Sequence, residues 1–326
     1  MALTGTGIAA SAAPTGQAET ARTLLLPGSL PSDAATLKAL CASLKPSADV
    51  AALLDNTNAI ECTGSWSDAE REALQCAGDL ADGARLAHQN PALSKSQMPH
   101  QFALATPLHA ALGLTDLTVV DSSTLSLTEE DSRALCAAAD AHLREDGVQL
   151  HFVDTERWLV CCETTVDVLA ERPEYLIGEA LRPNLPRGKD GRLVERWMNE
   201  LQMLLYTHPV NLAREDRGLP PINVVWLWGF GMSDLPLTSS VKEDIHCAEF
   251  AFSHALRNGD LPAWQAAWTT LAPRILAADT IVLGDAQPRI RLQRMQPSPL
   301  SRFFAKFKAK PTLANVLTAL HATSMS

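Results

Sequence analysis

One apolar run constrains the fold of this chain more than any other feature. Residues 222–228 read INVVWLW, with a single polar residue, Asn223. A nearly continuous apolar run of this length is typical of a strand that is covered on both faces of an α/β sheet. Gly229 and Gly231 follow it, and glycine permits backbone conformations that other residues avoid. The sequence therefore predicts a buried strand followed by glycines at which the backbone turns sharply or approaches another group closely.

The residues before this strand predict a helix and a loop. Trp197, Leu201 and Leu205 recur at helical spacing and can share one apolar face. Pro209 is expected to end the helix, because its ring and its missing N–H block continuation. Residues 210–221 are polar, basic and bounded by proline, which predicts a loop.

The same stretch resembles a known enzyme family. The residues that carry the resemblance are Asn199, Glu200, His208, Pro209, Val210, Asn211, Arg214, Gly218, Leu219, Pro220, Pro221, Asn223 and residues 227–231. Together they resemble a motif of the archaeal-type cofactor-independent phosphoglycerate mutases, which belong to the alkaline-phosphatase superfamily. The stretch is similar, more closely still, to a group of bacterial regulatory proteins of the RpfE type. The resemblance covers about residues 107–231.

The composition limits the compartments in which the protein is expected and the classes of partner it can bind. The 326 residues carry a net charge of −10, which argues against nucleic-acid binding by the protein as a whole. No apolar run reaches the ~18 residues that a membrane span needs, and the N-terminus does not read as a signal peptide. The seven cysteines form no C-x-x-C pair and suggest reduced thiols. We therefore expect a cytoplasmic protein.

The rest of the chain alternates strand and helix signals, which predicts an α/β fold. Strands are expected at 23–26, 116–120, 148–153, 157–162, 280–283 and 289–292. Helices are expected at 33–44, from a capping box of Ser67 and Glu70 to residue 88, from Thr128 to Gly147, and at 240–258. Trp264 and Trp268 lie one helical turn apart and are expected in the core.

The predicted fold class is α/β, with mixed sheets covered by helices. The resemblance implies a phosphoglycerate-mutase-like middle domain, which is expected to cover substrate, over residues 101–235. Residues 23–100 and 236–326 are expected to form a reduced alkaline-phosphatase-like part, with a boundary near residues 90–100. Residues 1–22 are rich in Ala, Thr and Gly and are expected to be a disordered tail.

The resemblance implies a two-metal centre that this sequence does not match. In the mutases, metal ligands come from an Asp-Gly-x-Gly-Asp segment after the first strand, from a serine, and from C-terminal Asp and His clusters. Here residues 24–29 read LLLPGS, and no Asp-His cluster of that type follows in the C-terminal third. We therefore expect no metal site, no cofactor and no catalytic residues.

Five residues are candidates for ligand binding by the resemblance. They are Arg157, His208, Asn211, Arg214 and Arg217. Arginine suits this role because its planar fork binds carboxylate or phosphate oxygens in pairs. A structural role is the alternative for each of them: Asn211 can bond loop backbone, His208 can cap the C-terminus of the preceding helix, and the arginines can be solvated charges.

A basic segment near the C-terminus is a further candidate for binding. Residues 289–310 carry seven basic residues, no acids and three phenylalanines. Such a segment can meet an acidic protein partner, a membrane surface or nucleic acid. The alternative is that the aromatic rings pack on the protein and the charges are solvated.

These observations leave three hypotheses. The first is a non-catalytic regulatory protein related to the mutases that binds a phosphorylated or carboxylated metabolite, or a protein partner. The second is an active mutase or phosphoesterase with unrecognised metal ligands, Asp82 and Asp285 among them. The third is an interaction protein that works through its basic aromatic segment.

Overall fold

The computed structural model describes most of the chain in ten ranges. These are residues 22–42, 44, 48–62, 65–77, 82–89, 101–113, 116–232, 248–285, 289–294 and 312–324. The predicted tail lies outside the described residues except for Arg22. The predicted boundary at residues 90–100 and residues 295–310 of the basic segment also lie outside them.

Strands and helices alternate along the described residues. The strands are β1 Thr23–Pro27, β2 Thr57–Cys62, β3 Gln101–Leu108, β4 Ala110–Leu112, β5 Leu117–Val119, β6 Val148–Phe152, β7 Trp158–Cys162, β8 Val224–Met232, β9 Thr280–Gly284 and β10 Arg289–Arg294. The helices are α1 Ala34–Cys41, α2 Ala48–Asp55, α3 Trp66–Ala77, α4 Asp82–Gln89, α5 Glu129–Leu143, α6 Pro173–Leu176, α7 Gly191–Tyr206, α8 Pro209–Asp216, α9 Ala251–Arg257, α10 Leu261–Thr270, α11 Ala272–Ala277 and α12 Leu313–Ser324. Short 3₁₀ turns span Ser122–Thr124, Arg144–Asp146 and Arg182–Asn184.

The first sheet draws its strands from both ends of the chain, in the order β1-β9-β10-β2. β1 runs parallel to β9, and β10 runs antiparallel to both β9 and β2. Its core contains the aromatic group Phe252, Trp264 and Trp268, whose rings lie 4.7–5.9 Å apart. The predicted core positions of the two tryptophans are confirmed, as is the predicted β9–β10 pair.

The second sheet is antiparallel, in the order β6-β7-β3-β8. Every residue of β3 and β7 is buried, as is the apolar half of β8. Helices α4, α5 and α7 pack on this sheet. Thr128 caps α5 by accepting a hydrogen bond from the Asp131 N–H, as its position in the sequence predicts. A separate two-stranded sheet joins β4 to β5.

Of the two roles predicted for the glycines after residue 228, the sharp turn is wrong. The close approach is found at Gly229, where a Cβ would lie 3.2 Å from Asp82 Cβ. β8 continues through Gly229 and Gly231 to Met232, and a bulge in its pairing with β3 lies between Phe102 and Leu104. Gly229 lies in this bulge with a φ of +66°, a conformation that glycine adopts more readily than other residues. The strand continues because pairing with β3 satisfies its backbone, which the local sequence does not reveal.

The loop predicted at residues 210–221 is also wrong in its first half. Pro209 ends α7 as predicted, but it opens α8 as that helix's first residue, where its missing N–H costs nothing. The Nδ1 atom of His208 accepts a hydrogen bond from the Val210 N–H at 3.2 Å and caps α8. A proline can therefore mark the start of a helix as well as the end of one.

Two predicted helix starts are shifted. The helix predicted at 240–258 begins at Ala251 among the described residues, and residues 233–247 lie outside them. Helix α3 begins at Trp66 rather than after Ser67, because Ser65 and Asp68 form the reciprocal cap. Each donates its N–H to the side chain of the other.

The predicted fold class, an α/β protein with mixed sheets covered by helices, is confirmed. Among the helices of the described residues, none is long and apolar enough to span a bilayer.

Candidate functional site

A cleft of about 550 Å³ opens at the carboxyl ends of β1 and β9. Pro27 and Gly28 line it from the end of β1, and Asp285 lines it from the end of β9. The segment that connects the second sheet to α7 forms another wall, through Glu171, Glu174, Tyr175, residues 177–180, Pro183 and Asn184. Ligands of α/β proteins bind outside the carboxyl ends of parallel strands, so this position favours a binding site.

Gly28 brings the end of β1 close to α9. It has a φ of +76°, and a Cβ placed there would lie 2.5 Å from the Ser253 main-chain N. Only glycine fits this conformation and this close approach. As a result, β1 ends directly against α9, which contributes Ser253, Leu256 and Arg257 to the cleft.

Arg289 is the most unusual side chain of the cleft. It is 2% exposed and, within the described ranges, makes no hydrogen bond or ion pair. Its guanidinium carbon lies 4.9 Å from the centroid of the Trp66 ring. Burial lowers the pKa of Arg289, and the carboxylates of Glu171 and Asp68 act in the opposite direction. A Cβ at Gly284 would lie 2.6 Å from its Cγ, so the glycine leaves room for the side chain. An unpaired buried cation is costly, which makes an anion its natural partner.

Arg257 supplies a second cation to the cleft wall. Its Nη2 lies 3.3 Å from His254 Nδ1, while its buried Nε has no hydrogen-bond partner among the described residues. Burial lowers its pKa, and the carboxylates of Asp121 and Asp285 act in the opposite direction. Two arginines of the cleft therefore keep N–H groups that no described residue accepts.

Four carboxylates also line the cleft, and two of them have arginine partners. Glu171 accepts hydrogen bonds from the Ser67 N–H and from Arg187 Nη2, each at 3.1 Å. Asp285 and Glu179 make no side-chain hydrogen bond among the described residues. Both are reached by solvent through the cleft, yet the surrounding protein desolvates them enough to raise the pKa of each.

Trp66 holds the two sides of the site in place. Its Nε1 donates to the Asp285 main-chain oxygen at 2.9 Å, and its ring stacks on Tyr175 with the centroids 5.9 Å apart. The same ring faces the guanidinium of Arg289. A single indole therefore positions one cation and one acid of the cleft.

The fourth carboxylate, Glu174, belongs to a buried charge cluster around Arg172. The Nη1 of Arg172 lies 2.8 Å from Glu70 Oε1 and 2.9 Å from Asp82 Oδ2, and its Nε lies 3.6 Å from Glu174 Oε2. Burial raises the pKa of Glu70 to about 7, and the charge of Asp82 adds to the effect. The three carboxylates in turn keep Arg172 protonated by raising its pKa, although burial alone would lower it. The guanidinium also lies 4.9 Å from the Trp228 ring centroid.

The described residues do not fit the two-metal centre that the resemblance implies. Pro27 ends β1, Gly28 and Ser29 follow it, and Ser29 donates its hydroxyl to the Leu26 oxygen at 2.6 Å. No three His, Cys, Asp or Glu side chains of the described residues lie close enough to hold a metal ion. Two-metal catalysis needs fixed carboxylates and imidazoles as ligands. No reaction step through a metal follows from these residues.

Four of the five residues predicted to bind ligand lie on or next to α8, outside the cleft. The side-chain amide of Asn211 bonds the Leu205 and Ile222 oxygens, each at 2.8 Å, and accepts from the Ile222 N–H. Arg214 is fully buried and donates to the Leu125 and Pro220 oxygens. Arg217 is exposed and bonds the Ala213 oxygen. His208 caps the helix, and burial lowers its pKa.

Arg157 lies elsewhere, in the turn between β6 and β7. It is exposed and forms a two-pronged ion pair with Asp154, with Nη2 2.7 Å from Oδ2. Arg214 and Arg217 instead converge on Asp131, at 3.7 and 3.5 Å. The structure therefore groups four of the predicted residues, leaves Arg157 apart, and gives every one a partner inside the protein.

Sequence reasoning does not identify the cleft. It gives Arg289 as one charge of a basic segment and Asp285 as a possible metal ligand of the second hypothesis, but it does not place the two in one site. One local signal was present, since Gly284 directly precedes Asp285 and ends a buried strand. Their shared position depends on the parallel pairing of β1 with β9, which joins residues more than 250 positions apart.

Fold and cleft together define an α/β protein with a cleft lined by a buried arginine. No family model matches the chain. Part of it is similar to 2,3-bisphosphoglycerate-independent phosphoglycerate mutases. The enzyme of Methanosarcina mazei is 28% identical over 115 residues, or 35% of this chain and 29% of that protein. The enzyme of Methanothrix thermoacetophila is 36% identical over 75 residues, which are 23% of this chain and 19% of that protein.

The chain therefore matches less than a third of the length of these relatives, and about a third of the chain is related to them in sequence. A solved cofactor-independent phosphoglycerate mutase from Thermoplasma acidophilum aligns with 93% of this chain and 99% of that one, at 12% identity. Its TM-score of 0.37 is too low to support an argument about the fold.

Proposed function

We propose that this chain is a non-catalytic regulatory protein, of the RpfE type and related to the cofactor-independent phosphoglycerate mutases, that binds a small phosphorylated or carboxylated metabolite. The cleft at the ends of β1 and β9 is the proposed site. Arg289 carries the proposal, because a buried guanidinium without a described hydrogen-bond partner is stabilised by an anion. A cytoplasmic location agrees with such a ligand and remains part of the proposal.

The absence of catalysis is proposed from the donor set at the cleft. The end of β1 presents a proline, a glycine and a serine whose hydroxyl is already bonded. In the domain scheme we propose, residues 101–235 form the mutase-like domain, while residues 23–100 and 236–326 form a reduced phosphatase-like part. Helix α4 packs on the sheet of the mutase-like domain and would join the two.

Calorimetric titration with 3-phosphoglycerate tests the proposed site. The protein should bind it, and Arg289→Met should weaken binding about tenfold or more, the range for a lost hydrogen bond to a charged group. Arg182→Met is the matched control, because that side chain is 80% exposed and pairs only loosely with Asp116, at 3.9 Å. Equal binding by the two variants would overturn the assignment of the site.

An active mutase or phosphoesterase is the second candidate. The sequence relationship to the mutases favours it, together with the position of Asp285 at the carboxyl end of β9. Phosphorus NMR of 3-phosphoglycerate, with protein and added manganese, separates the two candidates. The non-catalytic proposal expects neither the 2-phospho isomer nor free phosphate above an enzyme-free control. Formation of either product would replace it with the enzyme.

Two predictions from the sequence stay open beside this proposal. Arg157, His208, Asn211, Arg214 and Arg217 remain a predicted ligand set, although internal contacts occupy them. A protein partner bound through residues 289–310 also remains a prediction. Steep salt dependence of binding, removed by deleting residues 301–326, would support that partner.

A further inference from the structure

We propose that the ligand of the cleft is zwitterionic, with a carboxylate or phosphate group held by Arg289 and Arg257 and an ammonium group held by Asp285 and Glu179. This inference rests on the proposed function, since it names the class of metabolite that the same cleft takes. The proposed site differs from a simple anion site because two acids of the cleft wall also bind the ligand.

The anionic end follows from the two arginines. Arg289 is buried beside Trp66 without a hydrogen bond to any described residue, and the Nε of Arg257 is buried without one. Both side chains line the same cleft. Guanidinium groups recognise carboxylate and phosphate oxygens through paired N–H donors. An anionic group placed between them would satisfy donors that the described protein leaves unpaired.

The cationic end follows from the charge that remains on the wall. Of the four acids that line the cleft, Glu171 is paired with Arg187, and Glu174 lies beside Arg172. Asp285 and Glu179 remain, and each makes no ion pair among the described residues.

Partial desolvation raises the pKa of both acids, and the charge of Asp285 adds to the effect on Glu179. Arg257 attracts Asp285, but the two form no ion pair. A ligand ammonium would relieve the repulsion between the acids and pair with both.

The charges on the cleft wall restrict the class of ligand more than the volume of the cleft does. Two arginines with N–H donors that no described residue accepts, and two acids without an ion pair among the described residues, face one cleft of about 550 Å³. A ligand without a cationic group, such as 3-phosphoglycerate, would satisfy the arginines but would place additional negative charge beside Asp285 and Glu179. An ammonium at that position would turn the repulsion into attraction. The cleft should therefore prefer an amino-substituted acid to its hydroxyl analogue.

A matched pair of probes tests this preference. O-phosphoserine and 3-phosphoglycerate have the same carbon skeleton, phosphate and carboxylate, and differ in an ammonium or a hydroxyl at C2. In calorimetric titrations of the full chain at pH 7.5, O-phosphoserine should bind about tenfold tighter, the lower range for a charged hydrogen bond. Equal affinity, or tighter binding of 3-phosphoglycerate, would overturn the zwitterion and leave the proposed function intact. Failure of both probes to bind would overturn both proposals.

Variants assign the preference to the residues named. The double variant Asp285→Asn, Glu179→Gln should bring the ratio of the two affinities close to one, whereas Arg289→Met should weaken both probes together. Glu163→Gln, at an exposed site outside the cleft, is the control and should keep the wild-type ratio. A double variant that keeps the wild-type ratio would contradict the role of the two acids. Circular dichroism checks that each variant is folded. The comparison of the two probes on the wild-type protein tests the inference even if a variant fails to fold.

Two smaller probes identify the anionic group. O-phosphoethanolamine carries a phosphate and an ammonium, and L-serine carries a carboxylate and an ammonium. The probe that retains measurable binding shows which anion the arginines take. Loss of binding by both, with 3-phosphoglycerate still bound, would contradict the inference.

Discussion

Replacing Arg172 with methionine tests how the charge cluster behind the cleft joins the two sheets. Glu70 comes from α3, which packs on β1, and Asp82 comes from α4, which packs on β3 and β8. The guanidinium of Arg172 contacts both carboxylates, and its side chain is 16% exposed. Methionine keeps much of the apolar stem and removes the charge, so the variant isolates the electrostatic role of the cluster.

The expected loss is large because three acids lose their shared cation. Removing one partner of a buried ion pair costs about 3–5 kcal/mol, since the remaining charge is left without compensation. Here the Glu70 and Asp82 carboxylates lie at 2.8 and 2.9 Å from the same nitrogen, which places Arg172→Met in that range. Arg133→Met is the matched control. Its ion pair with Glu129 is more than half exposed, so it should cost less than about 1 kcal/mol.

The cost should depend on pH in a defined direction. Burial raises the folded-state pKa of Glu70 to about 7, so its contribution to stability is present at low pH and is lost as the pH rises through 7. Without Arg172 the folded pKa would rise further. The free energy of unfolding, measured by urea titration, should therefore fall more at pH 8 than at pH 5.5. Adding Glu70→Gln should recover part of the loss at pH 8. A loss equal to that of Arg133→Met at both pH values would refute the reasoning.

Three further substitutions or probes test particular contacts. Gly28→Ala should cost about twice as much as Gly218→Ala or more, because both have positive φ, worth about 1–2 kcal/mol, but only Gly28 lies against another backbone; equal unfolding midpoints would contradict this. Asn211→Leu should cost about 2–4 kcal/mol in urea unfolding, since it leaves three main-chain groups unpaired; a near-neutral result would show that water replaces the amide. Burial raises the pKa of Cys162 to about 12, so a thiol reagent at pH 8 should modify it far more slowly than the partly exposed Cys62, and equal rates in peptide mapping would count against the buried site.

The parts of the fold that local patterns specify were predictable from the sequence. Thr128 opens α5 where acidic residues fill the first turn, and the β6–β7 pair lies close to its predicted bounds. The continuation of β8 past Gly229 was not predictable, because pairing with β3 decides it. Helix α8 is not predicted from the sequence, because a proline is compatible both with the end of one helix and with the first position of the next.

The candidate site was harder to predict than the fold. Resemblance pointed to the arginines of residues 157–217, and the structure shows Arg214 holding main-chain oxygens while Arg289 is left unpaired among the described residues. A sequence gives the charge of a side chain but not its burial or its partners. Those depend on strand pairing between the two ends of the chain, which no local pattern encodes.

The most direct test of the central claim is to locate a bound anion. Crystals of the full chain soaked in selenate, a tetrahedral dianion with an anomalous signal, would show it in a difference map. Our account predicts a peak in the cleft within hydrogen-bond distance of Arg289, and loss of that peak in Arg289→Met crystals. A peak only near Arg157 or Arg217, with none in the cleft, would contradict the account and return the site to the residues that the sequence resemblance suggested.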